Sequence, residues 1–212
     1  MLHEKILGEF SAIPKIKTKD IDTYNKRLIK NATDVSEIKE YILTHQILHR
    51  TYFQVSLGLL TSVEQQFSFL EDNADYLQDW WHVDQLTQFL LKPINFEFAL
   101  GKASEYVTSA KPFIRRWGYV LFLAGLQKDA NNTKPILSLM KDDAEYYVQM
   151  AEAWLLCDLA VFNPEDTIAF IENSSLDYNI LGKAIQKMVD SYRISNKDKK
   201  YVKSLRAKIK SR

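Results

Sequence analysis

Helical periodicity that continues from one end of the chain to the other, broken only by short start signals, limits what this sequence can fold into. Asp34-Val35-Ser36-Glu37 is a capping-box pattern, and Val35, Ile38, Ile42, Leu43, Ile47 and Leu48 follow it at helical spacing. Ser62-Val63-Glu64-Gln65 repeats the pattern ahead of Phe67 and Leu70. Pro93 is expected to end one helix and start the next, and Ala110-Lys111-Pro112 marks another entry with proline at a tolerated first-turn position. The loop Lys128 to Thr133 is a break. Asn163-Pro164-Glu165-Asp166 supplies an N-cap, a first-turn proline and two acids, and Ser195 to Asp198 opens the last helix. Only 6 glycines and 5 prolines occur, and no run alternates as a strand would.

The pattern predicts an all-α fold of about ten to twelve helices. Short-linked antiparallel pairs, repeating at roughly 35 to 45 residues, predict a curved α-solenoid of stacked HEAT-like repeats. A non-repeating α-bundle is the alternative. Residues 1–212 read as one domain with no internal boundary. Ile13-Pro14-Lys15-Ile16 reads as a non-helical connector within residues 1–18, and residues 196–212 as a basic terminal helix.

One cysteine, Cys157, excludes a disulfide framework and a multi-cysteine metal site; in its apolar helical setting a buried thiol is expected. No apolar run approaches a membrane span, and Met1-Leu2-His3-Glu4-Lys5 does not open a secretory signal, so a cytoplasmic protein without membrane association is expected. Net charge is +1, unevenly spread: residues 193–212 hold nine Lys/Arg and one Asp, leaving 19 basic and 26 acidic residues elsewhere. Such a basic end suits phosphate, or is simply a solvated terminal helix.

Asp79-Trp80-Trp81-His82-Val83-Asp84 carries the clearest chemical signal. In a helix Trp80 and Asp84 are an i,i+4 pair on one face. A π surface beside a carboxylate can cradle a group that becomes cationic during a reaction. The alternatives are a packing tryptophan and an aspartate that caps the following helix. His45 and His49 share a helix face, but no H-E-x-x-H pattern accompanies them, and neither metal nor cofactor is expected.

That segment, Pro112 to Leu121 (with Arg115, Arg116 and Trp117) and Tyr146 to Leu156 (with Gln149 and Trp154) together resemble the AlkD-like DNA alkylation repair family of HEAT-like-repeat DNA glycosylases. The C-terminal stretches Lys183 to Lys187 and Ser191 to Arg193 are also similar, so the resemblance runs over about residues 35 to 205. It implies a concave face that holds duplex DNA and hydrolysis of the N-glycosidic bond of cationic N3- or N7-alkylated purines, without drawing the base into a pocket. Carried over, Trp80 and Trp154 form the aromatic wall beside the deoxyribose, and Asp84 stabilises the oxocarbenium-like sugar and positions water. Arg116 binds phosphate, with Arg115 beside it as a second candidate. Lys199, Lys203 and Arg206 of the basic tail are candidate phosphate contacts. The partner implied is duplex DNA, bound by a monomer.

Three features depart from the family pattern. Met150 and Cys157 stand where basic residues are common, which lowers groove charge. The segment ahead of the first clear repeat is short and reads as lacking the initial helices that help grip DNA. Two readings follow: an alkylpurine DNA glycosylase, and a non-catalytic HEAT-like-repeat protein binding unusual DNA structures or a protein partner. A general protein-binding solenoid is a third.

Overall fold

The computed structural model describes residues 1–211, and among them there is no β-strand. The chain divides into two compact units, Met1–Pro93 and Ile94–Arg212. The first contains α1 (Leu2–Ser11), α2 (Thr18–Lys30), α3 (Gln46–Leu59), α4 (Val63–Asp72) and α5 (Trp80–Asp84). The second contains α6 (Phe96–Tyr106), α7 (Pro112–Val120), α8 (Thr133–Leu137), α9 (Tyr146–Phe162), α10 (Pro164–Asn173), α11 (Tyr178–Asp190) and α12 (Asn196–Lys210). Short 3₁₀ turns fill several connections, including Ser36–Tyr41 and Gln85–Gln88.

Each unit contains neighbouring helices that run the same way: the consecutive α2 and α3 in the first, the alternate α7, α9 and α11 in the second. In the first, Arg50 reaches Asp22 and Asn25 reaches Gln54, so residue numbers on α2 and α3 rise together. In the second, Arg116 reaches Tyr147 and Gln127 reaches Asp158. Lys183 reaches Gln149 and Arg193 reaches Asp158, continuing the row from α7 through α9 to α11. These lateral bonds join residues 28 to 35 apart, a shorter period than the spacing of the start signals suggests. Only the 3₁₀ turn Ser36–Tyr41 lies between α2 and α3, whereas α8 and α10 separate the members of the second unit's row. α9 sits in the middle of its row with Val148, Leu155, Leu156 and Leu159 fully buried, which is why it is apolar nearly all round.

Several start signals act as read. Ser62 Oγ accepts from Gln65 N–H, Asn163 Oδ1 from Asp166 N–H, and Ser195 Oγ from Asp198 N–H. Pro112 and Pro164 occupy first-turn positions. The Asp34 signal acts differently. Glu37 does not turn back to its own cap; it accepts from Leu2 N–H at the start of α1. Residues 36 to 41 therefore form a 3₁₀ turn and α3 begins only at Gln46. The segment ahead of residue 34 holds two helices, α1 and α2, and the expected connector Ile13 to Ile16 lies between them outside helix. α5 stops at Asp84 and continues as a 3₁₀ turn, well before Pro93, and the next helix is capped by Asn95. Gly125, at φ 123° between two 3₁₀ turns, occupies a conformation side chains disfavour. α12 covers residues 196 to 210 of the expected terminal helix, while Arg212 lies outside the described residues.

Candidate functional site

Trp80 and Asp84 are the first and last residues of α5, so one helical turn carries both. Asp79 Oδ1 accepts from Trp80 N–H at 2.6 Å and starts the turn. Trp80 is 45% exposed and Asp84 partly exposed. Asp84 makes no side-chain capping bond to the 3₁₀ turn that follows, so the capping alternative is not realised. Trp81, by contrast, packs inward, edge-on to the His49 ring at 5.0 Å and the His82 ring at 4.1 Å.

Beneath the turn lies a buried polar layer. His49 and His82 stack with ring centroids 3.7 Å apart. Burial, aided by the neighbouring His82, pushes the His49 imidazole down to about 3, and burial lowers His82 as well; both rings are neutral at neutral pH. Gln85 donates to His49 Nδ1 at 3.0 Å and accepts from Arg50 at 3.2 Å. His45 does not join His49: it stands exposed just ahead of α3, makes no side-chain capping bond and meets Thr44 Oγ1 at 2.9 Å. Among the described residues no group of three or more His, Cys, Asp or Glu side chains is placed to hold a metal.

The other candidates belong to the second unit. Arg115 forms a two-pronged pair with Asp143, Nε to Oδ2 at 2.5 Å and Nη2 to Oδ1 at 3.0 Å, and its Nη1 donates to the Ser109 and Ala110 carbonyls. Desolvation raises the Asp143 carboxyl, but hydrogen bonds from Arg115 and from the Glu145 N–H outweigh it and hold the carboxyl below its usual range. Arg116 is 4% exposed and donates to the Tyr147 carbonyl at 2.5 Å. Trp154 lies on the only partly exposed stripe of central α9, with Met150 and Asp158 one turn either side. Asp158 is held by Arg193 at 2.6 Å and Gln127 at 2.7 Å. Cys157 is buried, and desolvation raises its thiol to about 11.

In the basic tail, Arg206 donates to the Tyr178 hydroxyl and to Gln186, both of α11, at 3.0 Å. Lys199 and Lys203 share its helical stripe by spacing. Lys208 turns the other way, to Glu172 of α10 at 3.2 Å. The tail's cations thus divide, with Arg206 toward α11 and Lys208 toward α10.

Two groups escape a reading of the sequence alone. The His49–Gln85–Arg50 layer is one. The other is Glu152, fully buried on α9, whose Oε1 accepts from Lys141 N–H and whose carboxyl also interacts with the Tyr119 hydroxyl. Burial pushes its carboxyl up to about 8. The available signal was a polar residue on an otherwise apolar helix face.

A family model described as DNA alkylation repair enzyme matches residues 16–188. That span contains Trp80, Asp84, Arg115, Arg116 and Trp154 and excludes the basic tail. No curated protein and no solved structure matches the chain. No helix among the described residues is long and apolar enough to cross a membrane.

Proposed function

The chain belongs to the DNA alkylation repair enzyme family, and from that premise we propose that it is a DNA glycosylase acting on cationic N3- and N7-alkylpurines in duplex DNA. The observation that carries the proposal is the α5 turn, where an exposed indole and a partly exposed carboxylate stand four residues apart on one face. A cationic purine takes the electron pair of the N-glycosidic bond and leaves neutral, so no strong general acid is required. Positive charge then grows on the sugar. The Asp84 carboxylate opposes that charge and orients the water that adds at C1′, leaving an abasic site. The π face of Trp80 adds cation–π stabilisation of about 0.5–2 kcal/mol, and Trp154 on α9 is kept as the second aromatic candidate.

Arg116, fixed on the Tyr147 carbonyl, is the proposed phosphate contact. Arg115, with four N–H donations to Asp143, Ser109 and Ala110, is assigned to holding α7 instead. Lys199, Lys203 and Arg206 supply further phosphate contacts along α12. HEAT-like stacking into a curved solenoid is part of the proposal, supported by the rows of same-direction helices inside each unit. The second reading is a non-catalytic member that binds unusual DNA structures or a protein partner; it is favoured by the 4% exposure of Arg116, which counts against a phosphate contact there.

The substrate test is single-turnover release of bases from duplex DNA with protein in excess. Release of 7-methylguanine and 3-methyladenine without release of uracil supports the mechanism. Efficient excision of the neutral base contradicts it. Absence of all release at concentrations where DNA is bound selects the non-catalytic reading.

A further inference from the structure

We infer that Gln85, clamped between Arg50 and His49, is a positioning residue that fixes the direction of the Asp84 carboxylate through a polar chain running under α5. The chain begins at Asp22, whose Oδ1 accepts from Arg50 Nε at 2.7 Å. Arg50 Nη1 donates to Gln85 Oε1, and its Nη2 to Gln88 Oε1, both at 3.2 Å. Gln85 Nε2 meets His49 Nδ1 at 3.0 Å, and His49 Nε2 meets the Tyr76 carbonyl at 3.1 Å. Three members are almost completely enclosed: His49 at 0%, Gln85 at 5% and Arg50 at 7% exposure.

Every proton in the chain has a forced direction. The Tyr76 carbonyl can only accept, so His49 carries its proton on Nε2 and offers a lone pair at Nδ1. Gln85 must then present its amide N–H to His49 and its carbonyl oxygen to Arg50. No other orientation of the amide satisfies both neighbours. The groups facing His49 are the stacked His82 and Phe53 rings, the edge-on Trp81 ring, and Arg50 acting through Gln85. His82 Nδ1 accepts in turn from Gln78 N–H at 3.1 Å, which ties the loop ahead of α5 to the same layer.

The need for such a device lies in the length of α5. Five residues cannot hold a helix by their own hydrogen bonds, because an isolated turn has not repaid its nucleation cost. Gln85 is the residue directly after Asp84 and continues the helical backbone at φ −68°, so clamping its side chain fixes where the turn ends and the carboxylate points. A displacement of about 1 Å at a reacting group can cost about a hundredfold in rate.

The inference rests on the proposed excision chemistry for its kinetic readout alone; its spectroscopic readout is independent. Gln85→Glu nearly preserves shape but replaces the amide donor with an acceptor. Its carboxylate still takes the Arg50 bonds, yet His49 Nδ1 then faces a lone pair unless it binds a second proton. Imidazole ¹⁵N NMR of the intact protein should show wild-type His49 neutral with its proton on Nε2 between about pH 5 and 8. In Gln85→Glu the ring should be cationic at the lower end and titrate within that window. Single-turnover excision should be pH-independent in wild type over that range once spontaneous release is subtracted. In Gln85→Glu it should fall about tenfold as the pH rises and His49 loses its second proton. Gln85→Ala should lose roughly ten- to hundredfold in rate, with DNA affinity unchanged within about twofold, and should shift the Trp80 indole N–H resonance, identified through Trp80→Phe.

A neutral His49 in Gln85→Glu throughout the range overturns the inference. So does a Gln85→Ala protein with wild-type rate and Trp80 resonance. Should wild type release no base, the glycosylase reading fails by itself, and His49 protonation with the Trp80 resonance still decides the clamp. Should Gln85→Ala fail to fold, Gln85→Glu decides it.

Discussion

Glu152 and His49 set opposite pH limits on stability. The folded protein keeps a proton on Glu152 up to about 8, whereas an unfolded carboxyl loses it near 4.5. Between those values the folded state holds more protons, so stability falls as pH rises, by at most about 1.4 kcal/mol per unit. Glu152→Gln should therefore flatten the fall of urea-unfolding free energy between about pH 4.5 and 8, and exceed wild type most clearly at about pH 8 and above. An unchanged slope in that window would mean that Glu152 is ionised in the fold. His49 acts the other way. Its folded value of about 3 lies under the ordinary 6.5, so its contribution is intact above 6.5 and is lost as pH falls toward 3.

At the scale of elements, α2 ends in a left-handed residue that is not glycine. Thr33 N–H reaches the Leu28 carbonyl and Ala32 N–H the Ile29 carbonyl, a Schellman arrangement with Ala32 at φ 47°. Ala32→Gly should stabilise the protein by up to about 1 kcal/mol, read as a raised Tm; a lowered Tm would contradict the strain assigned here. α7 depends on a side chain in a different way. The Asp143 side chain is 6% exposed and relies on Arg115. Arg115→Ala should cost about 3–5 kcal/mol of stability without changing the salt dependence of DNA binding at temperatures where it stays folded. A lower salt slope with little loss of stability would assign Arg115 to phosphate instead. These elements also mark what could be read in advance. Caps at Ser62, Asn163 and Ser195 were legible because donor and acceptor lie within four residues. The Asp34 start was not, because Glu37 is drawn to Leu2, 35 residues away. The Trp80 and Asp84 pairing was legible because one turn contains it. The pairing of Arg115 with Asp143 was not, because Asp143 lies 28 residues downstream of Arg115.

For the molecule as a whole, charge is concentrated where the family match ends: residues 193–212 are strongly basic and the remainder is net acidic. If the α12 stripe meets DNA, the combined change Lys199→Ala, Lys203→Ala and Arg206→Ala should weaken binding to all duplex sequences alike. It should also lower the salt slope by about one unit per lost phosphate contact. Binding unaffected by the triple change would leave the stripe as a solubilising surface. The central claim concerns Asp84, and the most direct measurement is the single-turnover rate of 7-methylguanine release from duplex DNA by wild type and by Asp84→Asn. The replacement keeps size and removes the charge that is proposed to oppose the growing sugar cation. The rate should fall about a hundredfold or more while duplex affinity stays within about threefold. Release by Asp84→Asn at the wild-type rate would contradict the account.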